Sequence, residues 1–182
     1  MAGEFYDALG TVTGYALELG DDVRTFQYDV EGTEVAGLRV DRNDNRVRLT
    51  GFRGDRSFLV EYVFRVSDHL DGGVEALDEE TLDRAHEAAA EAVHDTDASI
   101  RRLTAGDGEG QRWDGYAVQD RLYPFDAGFG LREYNETVKG VVRAGVPVAR
   151  AAAEELDAVS EDVVPGTAES EEEPRRIDRM YE

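Results

Sequence analysis

The spacing of apolar residues shifts from helical to alternating and back along this chain. Between residues 4 and 19, Phe5, Leu9, Val12, Ala16 and Leu19 recur at helical spacing, and Gly20 stands where a C-terminal cap would. Gly10 and Gly14 weaken that helix without interrupting its stripe. From Val23 to Val66 the period becomes two. Phe26, Tyr28 and Val30 alternate up to Glu31-Gly32-Thr33, Leu38 and Val40 run up to the turn-rich Asp41 to Asn45, and Val47 and Leu49 follow. After Arg53-Gly54-Asp55, Phe58, Val60, Tyr62, Phe64 and Val66 share one face of the best strand in the chain. Four strands joined by short turns predict an antiparallel meander.

Helical spacing then returns. Asp78 is placed to cap a helix running to about Leu103, with Leu82, Ala85, Ala89, Val93, Ile100 and Leu103 as its stripe. A glycine-rich connector, Gly106 to Gly110, precedes a fifth strand from Trp113 to Tyr123, which Pro124 stops. A last helix is expected from about Arg132 to Leu156, kinked or split by Pro147 because proline removes a backbone donor and crowds the preceding turn. This order predicts an α+β domain over residues 1–157: an antiparallel sheet of four to five strands, with an N-terminal helix and two later helices packed on one face. Residues 158–182 read as an acidic tail ending in a short arginine and apolar motif.

Charge changes the picture next. The 182 residues carry 41 acids against 20 bases, a formal charge of −21, and Lys139 is the sole lysine. Such an excess repels itself in dilute buffer, whereas at molar salt the Debye length shrinks to roughly 3 Å. The acids are spread over every element rather than gathered in blocks, which points to a halophilic cytoplasm rather than to a basic partner. With 0 cysteines, a disulfide framework, a thiolate metal site and a cysteine nucleophile are all excluded. No basic stretch leads into an apolar run at the N-terminus, and the most apolar stretch, Val138 to Ala153, is interrupted by Lys139, Arg143 and Arg150. A soluble cytoplasmic protein without a membrane partner is the expectation.

Candidate chemistry is sparse. Asp41-Arg42-Asn43-Asp44-Asn45 opens like a calcium loop, but Arg46 and Phe52 occupy the positions that require glycine and glutamate. His86-Glu87 lacks the second histidine of a zinc site, and Glu91 with His94 lacks the second such pair of a di-iron site. No serine sits in a nucleophile elbow. No catalytic, metal or cofactor-binding residue is therefore assigned, and the balance leans away from an enzyme.

Element order over residues 4–156 resembles the type III secretion chaperone-like fold, including YbjN-like proteins, in which a helix precedes a meander and later helices close the sheet. The resemblance implies a fold and carries over no functional residue. The leading expectation is a non-enzymatic protein-binding or adaptor module that presents a sheet face to a protein partner, a second copy in a homodimer being the first choice. Leu59 and Val63, on the far face of the fourth strand, would form the contact, with Arg53 and Arg56 at the neighbouring turn. The end motif Arg175, Arg176, Ile177, Met180 and Tyr181 supplies a second contact. Arginines 46, 48, 53 and 56 near Phe52 and Phe58 could hold nucleic acid, but solvated strand positions explain them better, so nucleic acid is disfavoured. The alternative function is a small-molecule or enzymatic pocket between sheet and helices, lined by Tyr62, Trp113, Tyr116 and Tyr123.

Overall fold

A computed structural model describes residues 2–69, 74, 77–94, 98–106 and 111–156. It is an α+β fold: a six-stranded, wholly antiparallel sheet with three helices on one face. Helix α1 (Ala2–Glu18) leads into β1 (Asp22–Val30), β2 (Thr33–Arg42), β3 (Asn45–Phe52) and β4 (Phe58–Arg65). Helix α2 (Glu79–His94), β5 (Ser99–Ala105), β6 (Arg112–Leu122) and α3 (Leu131–Leu156) complete the order. The strands lie as β1-β2-β3-β4-β6-β5, so β6 joins the meander and β5 forms the far edge.

Local sequence explains most boundaries. Gly20, at φ 78°, closes α1 with paired bonds, its own N–H to the Leu17 carbonyl and the Asp21 N–H to the Ala16 carbonyl. That double closure needs a left-handed residue, which glycine supplies without strain. The Asp78 carboxylate accepts from the Thr81 N–H and hydroxyl, both at 2.9 Å, and so caps α2. Two hairpins turn on two residues each, Glu31-Gly32 and Asn43-Asp44, all four at positive φ. Such turns match the twist of antiparallel strands and lock the register on both sides.

The core lies between the sheet and the helices. Phe5, Val12 and Ala16 of α1, Leu82, Ala85 and Ala89 of α2, and Tyr134, Val138, Val141 and Val148 of α3 cover Leu38, Val47, Leu49, Val60 and Phe64. Close approach of α3 to the sheet depends on Gly145, where an added Cβ would stand 2.2 Å from Cδ1 of Tyr62.

Three expectations need correction. The second helix ends at His94 rather than near Leu103, and Ile100 and Leu103 belong to β5, making six strands rather than four or five. Their three-residue spacing imitates a helix, but on the strand it places them on opposite faces, opposite Val118 and Gly115. Pro147 neither splits nor ends α3, which runs unbroken from Leu131 to Leu156. Pro147 and Arg143 are both exposed, so the carbonyl deprived of its donor belongs to a turn that water reaches. No helix among the described residues is long and apolar enough to cross a membrane.

Candidate functional site: the uncovered face of the sheet

Strand alternation sends one set of side chains under the helices and the other to the open face. On that open face the register aligns Arg24, Arg39 and Arg48 on β1, β2 and β3 as direct cross-strand neighbours. The adjoining row holds Phe26, Gly37 and Thr50, and the next Tyr28, Val35 and Phe52. Like charges placed opposite one another disfavour strand pairing, so an arginine triplet is not what sheet stability alone selects.

A small second layer supports the triplet. The Phe26 ring lies over Gly37, its Cζ 2.7 Å from where a Cβ would stand, and stacks on Tyr28 with centroids 5.9 Å apart. The Arg48 guanidinium sits 4.8 Å from the Phe26 ring centre and donates to the Tyr28 hydroxyl at 2.7 Å. Val35 and Thr50 are buried beneath this layer although they point away from the main core. Arg48 Nε and Thr50 Oγ1 are both buried without a hydrogen-bond partner among the described residues. Each is a desolvated polar group whose cost goes unrepaid in the isolated fold.

The other half of the open face is electrically closed. Glu61, buried at 7% exposure, accepts from Arg101 at 3.2 Å and from Gln119 at 2.5 Å. Asp114, fully buried, accepts from the Ser67 N–H, the Ser67 hydroxyl and Arg65. Arg121 donates to the Ser57 hydroxyl at 2.8 Å. Beside the triplet itself, the row Asp22, Asp41 and Arg46 is also partly closed, Arg46 pairing with Asp41 at 3.2 Å. By contrast, neither Arg24 nor Arg39 meets a carboxylate among the described residues, in a chain where acids outnumber bases two to one.

The residues singled out from sequence fall in several places. Leu59 and Val63 do lie on the open face, Leu59 half-buried and Val63 37% exposed. Arg53 and Arg56 occupy the exposed β3–β4 turn, where Arg53 pairs with Glu34 at 2.8 Å. Glu34 also accepts from Tyr6 and Gln27 beside a wide-open depression lined by Gln27, Tyr28, Asp29, Gly32, Glu34 and Arg53. That hydrogen bond from Tyr6 holds the Glu34 carboxyl below its ordinary pKa. Arg175, Arg176, Ile177, Met180 and Tyr181 lie outside the described residues.

The four aromatics suggested as a pocket are not brought together. Tyr62 is buried under Gly145, while Tyr123 is 50% exposed. Trp113 and Tyr116 do meet, with His86 against both rings at 5.1 and 6.2 Å between centroids. Trp113 Nε1 is buried without an acceptor among the described residues. Among the described residues no three His, Asp or Glu side chains group as metal ligands would.

Alternation alone marks Arg46 and Arg48 as solvated strand positions and gives no reason to single out Arg24 and Arg39. The signal was present in the turns. Reading Glu31-Gly32 and Asn43-Asp44 as two-residue loops fixes both registers and brings the three arginines into line.

No family model matches the sequence, and no curated protein is similar to it. The type III secretion chaperone-like resemblance therefore has no counterpart among these comparisons. A solved structure is similar, the crystal structure of an uncharacterized protein from Methanothermobacter thermautotrophicus. It aligns with a TM-score of 0.56 at 17% sequence identity, over 81% of this chain and 97% of that chain. At that identity the likeness is one of fold alone.

Proposed function

We propose that this chain is a non-enzymatic protein-binding module whose docking surface is the helix-free face of the sheet. One observation carries the reading: in the cross-strand triplet Arg24, Arg39 and Arg48, Arg24 and Arg39 make no ion pair with a carboxylate among the described residues, in a chain of formal charge −21. Guanidinium groups in a row recognise carboxylates through paired N–H donors, so the partner presents an acidic segment. Exposed Phe52 and Val63, with half-buried Leu59 between them in the sheet, add apolar contact at the margin. Nucleic acid fits less well, because the Phe26 ring is already occupied by Arg48 and Tyr28 and offers no open platform for a base. The working medium in this reading is a salt-rich cytoplasm, where the dispersed acids keep the chain soluble and unrepelled.

The test is a pull-down in molar salt with three full-length baits. They are the wild type, an Arg24→Glu/Arg39→Glu variant and an Arg143→Glu/Arg150→Glu control on the exposed side of α3. Acidic proteins retained by wild type and control but lost from the sheet-face variant support the reading. Equal recovery on all three baits, or no acidic protein on any, defeats it.

A second reading rests on the His86, Trp113 and Tyr116 rings with the orphaned Trp113 Nε1, which together favour a small aromatic ligand against α2 and β6. Quenching of Trp113, the single tryptophan, by such a ligand at micromolar concentration would support this reading.

A further inference from the structure

We propose that the arginine triplet is occupied by this chain's own C-terminal segment, residues 169–181, folded back in cis across the open face. The inference rests on the docking reading and names the first occupant of that surface. It makes the module self-masking: an acidic partner must displace the segment before it can bind.

Charge complementarity is the first argument. Glu169, Glu171, Glu172 and Glu173 place four carboxylates within five residues. The face they would meet holds three arginines aligned in register, two of them without an ion pair among the described residues, beside a row that contains Asp22 and Asp41. In an extended segment alternate side chains project the same way at about 6.8 Å, while strands are spaced at about 4.8 Å, well within the reach of flexible arginine heads.

The segment's end supplies the second argument. Ile177, Met180 and Tyr181 follow the acidic run, interleaved with Arg175, Arg176 and Arg179, in a stretch that solubility alone would leave without apolar residues. Phe52 and Val63, on the same face, are among the few large apolar side chains left exposed. Acidic residues meeting arginines and apolar residues meeting apolar ones is a two-part match, and a uniformly acidic tail would satisfy only the first part.

Reach is the third. The last described residue is Leu156, on the helix side of the sheet, and Glu173 follows it by seventeen residues. Extended chain spans at most about 3.3–3.6 Å per residue, so roughly 55–60 Å is available. Six strands at about 4.8 Å spacing make a sheet some 24 Å wide, with the helix layer about 10 Å above it. The segment can round an edge and arrive at β1–β3. Tethering then raises its effective concentration to roughly millimolar.

The absence of cysteine makes a direct test clean, since a nitroxide can be attached at Ser170→Cys of the full-length chain without background labelling. In the salt that keeps the protein folded, the expected result is several-fold stronger broadening of amides 24, 39 and 48 than of amides 143 and 150. Replacing Glu169, Glu171, Glu172 and Glu173 with glutamine should abolish the difference without touching the folded body. Uniform broadening, or broadening centred on the helices, overturns the proposal. Nitroxide-labelled protein at natural isotopic abundance, mixed with unlabelled isotope-enriched protein, reports contact between copies, and preferential broadening there overturns the cis assignment. A short RNA that releases the segment at equimolar concentration, where an excess of an acidic peptide does not, overturns the choice of a carboxylate ligand. If the segment is absent from the face yet pull-down still depends on Arg24 and Arg39, this inference fails and the docking reading stands.

Discussion

Arg39 and Arg42 lie three residues apart on β2 and meet opposite fates. Arg42 points to the helix side, where Asp21 accepts from its Nε at 2.7 Å and its Nη2 at 2.5 Å, and Asn135 accepts from its Nη1. The Asp21 side chain is only 2% exposed, and the pair ties the start of β1 to the end of β2 and to α3. Bonding to Asp21 raises the pKa of Arg42 above its ordinary value despite the opposing cost of burial. Arg39 points to the open face, between Arg24 and Arg48, and makes no ion pair among the described residues, although Asp22 and Asp41 stand in the neighbouring row. The difference teaches what each face is for. Under the helices a charge survives only if fully paired, because desolvation penalises every unpaired one. On the open face Arg24 and Arg39 are left without an ion pair among the described residues, at a small cost that water and salt absorb, and are therefore available to a ligand.

Breaking the covered side has the largest expected effect. Asp21→Ala leaves Arg42 largely buried without its carboxylate and removes the anion beside Tyr134. A loss of about 3–5 kcal/mol is expected from urea unfolding, as for one partner removed from a buried pair. A loss under about 1 kcal/mol, the scale of an exposed pair, would mean that the contact is superficial.

Two glycines of α3 sharpen the same contrast. Gly145 faces the Tyr62 ring, whereas a Cβ on Gly140 meets nothing within 4 Å. Gly145→Ala should cost about 1–3 kcal/mol by overpacking. Gly140→Ala should instead gain about 0.5–1 kcal/mol from helix propensity alone. Thermal unfolding that moves both variants in one direction would contradict the placement of α3.

The covered side was the legible one. Alternation of Phe58, Val60, Tyr62 and Phe64, and the stripe of Tyr134, Val138 and Val141, express burial directly, and burial against one neighbour is a periodic signal. Strand β5 was not legible, because an edge strand repeats no apolar period: Ile100 and Leu103 face opposite ways and Arg101 and Arg102 fill the gap. The arginine triplet was hidden for another reason. It exists only through register, and register turns on loop length; a turn read as Glu31-Gly32-Thr33 rather than Glu31-Gly32 is enough to lose it. Buried Asp114 was likewise invisible, since its partners Arg65 and Ser67 come from a distant strand end and nothing separates one acid from forty others.

A smaller effect of opposite sign is expected on the open face. With the four tail glutamates changed to glutamine, Arg39→Ser removes a like-charge neighbour from both Arg24 and Arg48. Stability should rise by about 0.2–1 kcal/mol at low salt. The gain should fade in molar salt, where the Debye length is roughly 3 Å. A destabilisation comparable to that of Asp21→Ala would show that the triplet holds the sheet together and is not free for a ligand.

The smallest effect belongs to His86, at the margin between the two environments. Its half-buried ring packs on Trp113 and Tyr116, with Arg102 of β5 and with Asp83 and Glu87 of α2 as the charges acting on it. Burial lowers its pKa below the ordinary 6.5 and the Arg102 charge adds to this, against the opposing pull of the two acids. Below about pH 6.5 the unfolded chain therefore takes up a proton that the folded chain resists, so acidification favours unfolding. The contribution of His86 is complete above that pH and is lost as pH falls through the depressed folded value. Comparing the pH dependence of unfolding in wild type and His86→Gln isolates it from the many carboxylates common to both. The variant should lose less stability between pH 7 and pH 5. A wild type that gains on the variant as pH falls would mean that Asp83 and Glu87 outweigh burial and Arg102, and that this margin of the core is as open to water as the arginine face.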